Sequence, residues 1–287
     1  MILNKKKLSI ATILPYKENY TSDKASAASL WVSEFFKKSI YKTNNVIFGF
    51  TNSRNYLTKN YKNINLKKSF NSKFKSTTNE YSKLLIKEIN SHNFDIIEVH
   101  NRPLLLFKLK EKLDNKFIFY FHNDPLSMKG SKTIDERLKI LNYVDKLIFV
   151  SEWVKDRFFD KLDTKLQTKT EIVYPSVNKQ PPIKKEKIII FVGKLNHSKG
   201  YDVYRDAVVK ILNENNDWKA YSVGSEDRRS IYIKHENHKE LGFINHKKTL
   251  NLLNKSEIAV VPSRWEEPFG RTALEASSRG CATIISN

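Results

Sequence analysis

The sequence predicts an α/β protein with two parallel sheets in two successive domains, residues 1–178 and 183–287. Three observations predict it. Short apolar runs alternate with longer stretches of helical periodicity along the whole chain, the pattern of parallel α/β units. One proline-bearing break, Tyr174-Pro175-Ser176 through Pro181-Pro182, interrupts that alternation and reads as a linker, because proline suits neither a ladder nor a helix interior. The length, 287 residues, accommodates two ordinary hydrophobic cores.

Before the break, the apolar and β-branched runs Leu8–Leu14, Val46–Phe50, Phe94–Val99, Phe117–Phe121, Lys146–Val150 and Glu171–Tyr174 read as strands. Helical stretches fall between them at Ala25–Tyr41, Thr77–Asn90, Pro103–Leu113, Thr133–Asn142 and Glu152–Asp160, and Ser151 is placed to cap the last of these. After the break come strands Lys187–Val192, Lys219–Val223, Glu240–Phe243, Glu257–Val261 and Ala282–Ser286, with helices Tyr201–Asn213, Lys247–Asn254 and Arg271–Arg279. The series closes on a strand with no helix after it, so an incomplete second domain is expected. Six of the eight glycines lie after residue 190, mostly at a strand end or helix start, where backbone can approach a ligand; they are equally ordinary turn residues.

Hydrophobic residues at 40% and aromatics at 12% exclude a disordered chain. One cysteine, Cys281, excludes an internal disulfide, and no apolar run approaches bilayer length. A cytoplasmic protein follows as the expectation, with peripheral attachment to the inner face of a membrane as an option. The net charge is +20 and unevenly held: residues 1–182 carry 33 basic against 18 acidic side chains, residues 183–287 carry 18 against 13. Phe35 to Asn79 contains no acid, so this stretch attracts polyanions, either nucleic acid or an anionic membrane surface. Within it Lys67, Lys68, Phe70, Lys73 and Phe74 interleave bases with aromatics, as a membrane-facing segment does; a solvated loop fits as well. Trp31, Phe35 and Phe36 read as helix packing.

The strongest chemical signal is Glu267-Pro268-Phe269-Gly270-Arg271-Thr272-Ala273-Leu274-Glu275. Two carboxylates flank a turn and a helix start, whose free amides can face an anion. Alone, such a pair reads equally as two solvated acids on a capped helix. His235 and His238 lack metal-site spacing and read as a polar loop; no Asp-x-Asp occurs, and neither a metal nor another cofactor is expected.

The run Val261 to Ala276 resembles the Glu-x7-Glu region of glycosyltransferase family 4, retaining enzymes of the two-Rossmann-domain GT-B fold. Phe191-Val192-Gly193-Lys194-Leu195-Asn196-His197-Ser198-Lys199-Gly200 is similar to that family's first loop in the second domain. Leu241-Gly242-Phe243-Ile244 with His246 resembles its base-binding turn, His122-Asn123-Asp124-Pro125 its histidine at a first-domain strand end, and Val150-Ser151-Glu152 its later serine motif. The motifs occur in the family's order along nearly the whole chain.

The resemblance implies two Rossmann-like domains facing across a cleft. It implies that Lys194 and Lys199, beside Gly193, bind the donor diphosphate and stabilise the leaving phosphate. Glu275 would hold ribose hydroxyls, Phe243 and Ile244 would meet the base, and Glu267 would orient the transferred sugar with the amides around Phe269 and Gly270. His122 would approach the sugar from the first domain. The catalytic set it implies is therefore Glu267, His122, Lys194 and Lys199, with no protein nucleophile, since the leaving phosphate takes the acceptor's proton. Two departures stand out. Lysine replaces the family's usual arginine at 194, keeping the charge and losing the bidentate fork. Lys24-Ala25-Ser26-Ala27-Ala28 replaces a Gly-Gly loop, leaving Ser26 as the acceptor-side candidate.

The expected function is transfer of a hexosyl group from a nucleotide sugar to a glycan or lipid-linked acceptor, with cell-envelope polysaccharide or lipopolysaccharide synthesis as the setting. A catalytically impaired nucleotide-sugar-binding protein is the alternative. Nucleic-acid binding is motivated by charge alone, lacks a recognisable module, and is not expected.

Overall fold

The computed structural model describes residues 8–16, 18–66, 76–181, 183–227 and 230–286. The chain divides into two compact units, one ending at Tyr174 and the other beginning at Pro175. Residues 175–178, expected to close the first domain, therefore belong to the second unit together with the rest of the proline-bearing linker. Its anchor is Arg279, whose Nη1 donates to the Asn178 carbonyl at 2.9 Å.

The first unit contains β1 (Ile10–Ile13), α1 (Ala27–Lys38), β2 (Asn45–Gly49), β3 (Tyr61–Asn63), α2 (Thr77–Asn90), β4 (Ile96–His100), α3 (Pro103–Lys110), β5 (Lys116–Phe121), α4 (Ile134–Tyr143), β6 (Lys146–Phe149), α5 (Glu152–Phe159) and β7 (Thr170–Ile172). Its seven strands lie in the order β3-β2-β1-β4-β5-β6-β7, all parallel. One core cluster joins Leu14, Tyr20, Trp31, Val32, Ile47 and Tyr61, so Trp31 packs inward as its helical position predicted. Phe121, Phe149 and Phe158 form a second aromatic group, with centroids 5.3 to 5.8 Å apart. Each such side chain, fully buried, contributes about 1.5–3 kcal/mol. Ser151 caps α5 as expected, accepting from Val154 N at 3.1 Å. The short edge strand β3 was not expected, because Tyr61-Lys62-Asn63 has no readable alternation; pairing with β2 creates it. Residues 67–75, which hold Lys67, Lys68, Phe70, Lys73 and Phe74, lie outside the described residues.

The second unit contains β8 (Glu186–Val192), α6 (Tyr201–Glu214), β9 (Lys219–Val223), β10 (His238–Glu240), α7 (His246–Lys255), β11 (Ser256–Val261), α8 (Arg271–Ser278) and β12 (Ala282–Ile285). The parallel order is β10-β9-β8-β11-β12. Central β8 is apolar on both faces because both are covered. Ile189 and Phe191 pack with Tyr201, Tyr204, Val208 and Leu212 of α6, while Ile188 and Ile190 pack with Leu253 of α7 and Ala276 of α8. Strand β10 sits two residues earlier than expected, since Gly242 at φ +62° turns the chain away. His238 consequently lies on a strand rather than in a polar loop, its Nε2 2.8 Å from Ser222 Oγ. The sheet order reverses between β8 and β11, and a parallel sheet opens a ligand crevice beyond its carboxyl ends at such a point.

Candidate functional site

Two loops leave the carboxyl ends of β8 and β11, and they touch. Arg264 N and Trp265 N both donate to Ser198 O, at 3.0 and 3.1 Å. Arg264 forms a bidentate pair with Asp202 at 2.6 and 2.7 Å, and its Nη1 also donates to His197 O. Hydrogen bonds from Arg264 hold the Asp202 carboxyl well below the usual carboxylate range. Gly200 lies against the Pro262 carbonyl: a Cβ at Gly200 would fall 1.8 Å from that oxygen. Only a residue without a side chain allows this approach, and Gly200 also takes the left-handed φ of +68°.

The loop contact brings Lys199 and Glu267 together. Their Nζ and Oε1 form an ion pair, Ser263 Oγ donates to the same Oε1 at 2.8 Å, and Lys199 Nζ stands 5.7 Å from the Trp265 ring centroid. Both charged side chains are about a quarter exposed, accessible to a ligand yet held in place. Lys194, on the same loop, is exposed and makes no side-chain hydrogen bond or ion pair with the described residues. Gly193 follows β8 and donates to Val223 O at 2.9 Å; Gly224 packs against its carbonyl and in turn donates to Gly242 O. All four loops beyond β8, β9, β10 and β11 thus meet at one edge.

The second acid occupies a different environment. Glu275, on α8, is 6% exposed, and its Oε1 is bonded to His246 Nε2 at 2.8 Å and accepts from Arg271 Nε at 2.7 Å. Burial opposes its charge, but the His246 hydrogen bond and the Arg271 guanidinium outweigh burial and leave its pKa below the ordinary value. Gly270, at φ +80°, starts α8, and Phe269 is half-buried beside it. Phe243 is 56% exposed, whereas Ile244 packs into the core cluster of Ile188 and Ile190. Of the residues placed at the base, only Phe243 has its side chain largely available.

In the first unit, His122 follows β5 and Ser26 caps α1, its hydroxyl accepting from Ser29 N at 3.2 Å. His122 N donates to Asn101 Oδ1 at 2.8 Å. Burial pushes the His122 imidazole down to about 3. Sequence reasoning missed His100, the last residue of β4, whose Nδ1 lies 2.8 Å from His122 Nε2. An apolar strand ending in histidine was the available signal. Among the described residues no three His, Cys, Asp or Glu side chains are placed to hold a metal, and no helix is long and apolar enough to cross a membrane.

Residues 175–287 match the family described as glycosyl transferases group 1, and residues 45–180 match Glycosyltransferase Family 4. Spore coat protein SA of Bacillus subtilis is 25% identical over 241 residues, 72% of this chain and 63% of its own length. A 42.6 kDa protein in the cps region of Klebsiella pneumoniae is 28% identical over 145 residues, 48% of this chain and 37% of its own. The chain spans 59 to 63% of the length of the two Bacillus subtilis relatives that it matches over 241 residues. Among solved structures, HepE of Anabaena in complex with UDP and glucose aligns at a TM-score of 0.69 with 16% identity, over 97% of this chain and 80% of HepE. A glycosyltransferase from Rickettsia africae aligns at 0.67 with 18% identity, over 98 and 80%. These likenesses give the GT-B fold.

Proposed function

Because this chain belongs to glycosyltransferase family 4, the group 1 glycosyltransferases, we propose that it takes a hexosyl group from a nucleoside diphosphate sugar with retention of the anomeric configuration. The observation that carries the reading is the cluster of Lys199, Glu267 and Ser263 where the sheet order reverses. An ammonium there offsets the charge that builds on a leaving diphosphate. Lys194 is free to join it. Glu267, anchored by Ser263, offers a carboxylate to sugar hydroxyls once the diphosphate competes for Lys199. Glu275, fixed as a carboxylate by Arg271 and His246, suits the two hydroxyls of a ribose. His122 is the first domain's ligand-facing group in this reading.

A glycan or lipid-linked acceptor fits the acid-free basic stretch from Phe35 to Asn79 and the cps-region relative. UDP-glucose is the first donor to test, given the ligands of HepE. The test is a panel of nucleoside diphosphate sugars, read by thermal stabilisation and by release of nucleoside diphosphate. A donor at 100 times its Kd adds about 2.7 kcal/mol of stability. Glu267→Gln should keep most of that stabilisation and lose about 100-fold in turnover. If no nucleotide sugar stabilises the protein or is turned over, the proposal fails.

A further inference from the structure

His100 and His122 share one proton between facing ring nitrogens, and the surroundings decide which ring supplies it. A neutral imidazole has one N–H donor and one bare acceptor nitrogen, so a contact of 2.8 Å between His100 Nδ1 and His122 Nε2 requires one donor and one acceptor. Two arrangements satisfy it. In the first, His100 Nδ1–H donates, His100 Nε2 is bare, and His122 carries its proton on Nδ1. In the second, His122 Nε2–H donates, His100 carries its proton on Nε2, and His122 Nδ1 is bare.

The other nitrogen of His100 distinguishes them. His100 is 1% exposed, and its Nε2 is buried without a hydrogen-bond partner among the described residues. The second arrangement would strand an N–H donor there, whereas the first strands only a lone pair; buried donors without acceptors are the rarer case. Trp31 packs edge-on to His100 with centroids 5.8 Å apart, and its own Nε1 is likewise buried without an acceptor. That pocket already holds one unmatched donor, and a second would add to the cost. Turning the ring by 180° would keep the Tyr120 stack, at 4.5 Å and 10°, but would put a carbon in place of Nδ1 and lose the contact with His122.

We infer that His100 is a positioning residue that donates Nδ1–H to His122 Nε2 and so fixes His122 as the Nδ1–H tautomer. Nδ1, the other nitrogen of the half-buried His122, is then a hydrogen-bond donor and not a base. It can hold an oxygen of a sugar or phosphate, and it cannot accept a proton from an acceptor hydroxyl. Asn101 fixes the pose: it takes φ +53°, which asparagine tolerates, and its Oδ1 holds the His122 amide. Burial keeps both rings neutral at pH 7. The catalytic consequence rests on the glycosyltransferase reading; the tautomer does not.

The experiment is nitrogen NMR of the full chain labelled at its seven histidines, at pH 7, with His122 assigned by loss of its signals in His122→Asn. A protonated Nδ1 and a bare Nε2 on His122 are expected. A protonated Nε2, or a doubly protonated ring, overturns the inference. His100→Asn retains an amide donor and should preserve the tautomer, while His100→Asp offers only an acceptor and should move the His122 proton to Nε2. Were His100 merely structural, the two variants would give the same His122 tautomer. On a turned-over donor, His100→Asp should lower kcat about tenfold with KM little changed, and His100→Asn should stay within about threefold. A wild type that turns over no donor refutes the glycosyltransferase reading, and the spectra still decide the tautomer.

Discussion

Gly200→Ala separates the two costs that the loop contact imposes on this position. The first is conformational: an alanine at φ +68° pays about 1–2 kcal/mol for the left-handed backbone. The second is steric: the new Cβ would lie 1.8 Å from Pro262 O and 2.7 Å from Pro262 C, both backbone atoms. Real contacts of this kind begin near 3.0 Å, so the loop after β8 must move more than about 1 Å from the loop after β11. Lys199 precedes Gly200 and Glu267 lies five residues past Pro262, so their pairing is drawn apart with the loops. A misplacement of about 1 Å costs roughly 100-fold in rate. The control is Gly280→Ala, which pays the same backbone penalty at φ +77° but meets only Lys185 Cε and Nζ, at 3.6 and 3.8 Å. Thermal unfolding and kcat/KM for nucleotide-sugar turnover, measured well below both midpoints, give the comparison. Gly280→Ala should lose about 4–8 °C and keep its turnover. Gly200→Ala should lose more stability and about 100-fold in kcat/KM. A folded Gly200→Ala with turnover within threefold of wild type, or equal losses in both variants, would refute the reasoning.

Three further outcomes follow from ionisable side chains that folding removes from water in part or in full. His122 titrates near 3 when folded and near 6.5 when unfolded, so the unfolded chain takes up the proton first. The first domain should have its full stability above pH 6.5; toward pH 3 His122 costs up to about 1.4 kcal/mol per pH unit, the likewise lowered His100 adds to that slope, and His122→Asn should reduce it in urea melts. Glu275, with its folded pKa depressed, contributes stability that is present above pH 4.5 and lost as the pH falls through the folded value. Glu275→Gln should therefore destabilise the second domain by about 2–3 kcal/mol at pH 7, with the gap to wild type closing below pH 4.5. Lys185 Nζ donates to Leu253 O, Asn254 O and Arg279 O at 3.3, 2.9 and 2.6 Å, satisfying the ends of α7 and α8. Lys185→Met should cost about 1.5–3 kcal/mol in chemical unfolding of that domain, and an unchanged midpoint would contradict the assignment.

The sequence by itself determined the alternation of strands and helices and the break near Tyr174. It also picked out Lys199 and Glu267, which the second domain brings together, through motifs that resemble those of a known family. Apolar runs set the strands, a serine caps a helix, and Glu267 and Glu275 sit at fixed offsets from a turn. Local pattern failed where pairing alone makes the structure, as in β3, and where a backbone turn at Gly242 ended a strand early. Tertiary structure decided which groups share a proton or a charge. Lys199 is 68 residues from Glu267, His246 is 29 from Glu275, and His100 is 22 from His122. Hydrogen bonds act over about 3 Å of space regardless of separation along the chain, and the pairing of β8 with β11, of β4 with β5, and the packing of α7 on α8 bring these residues within reach.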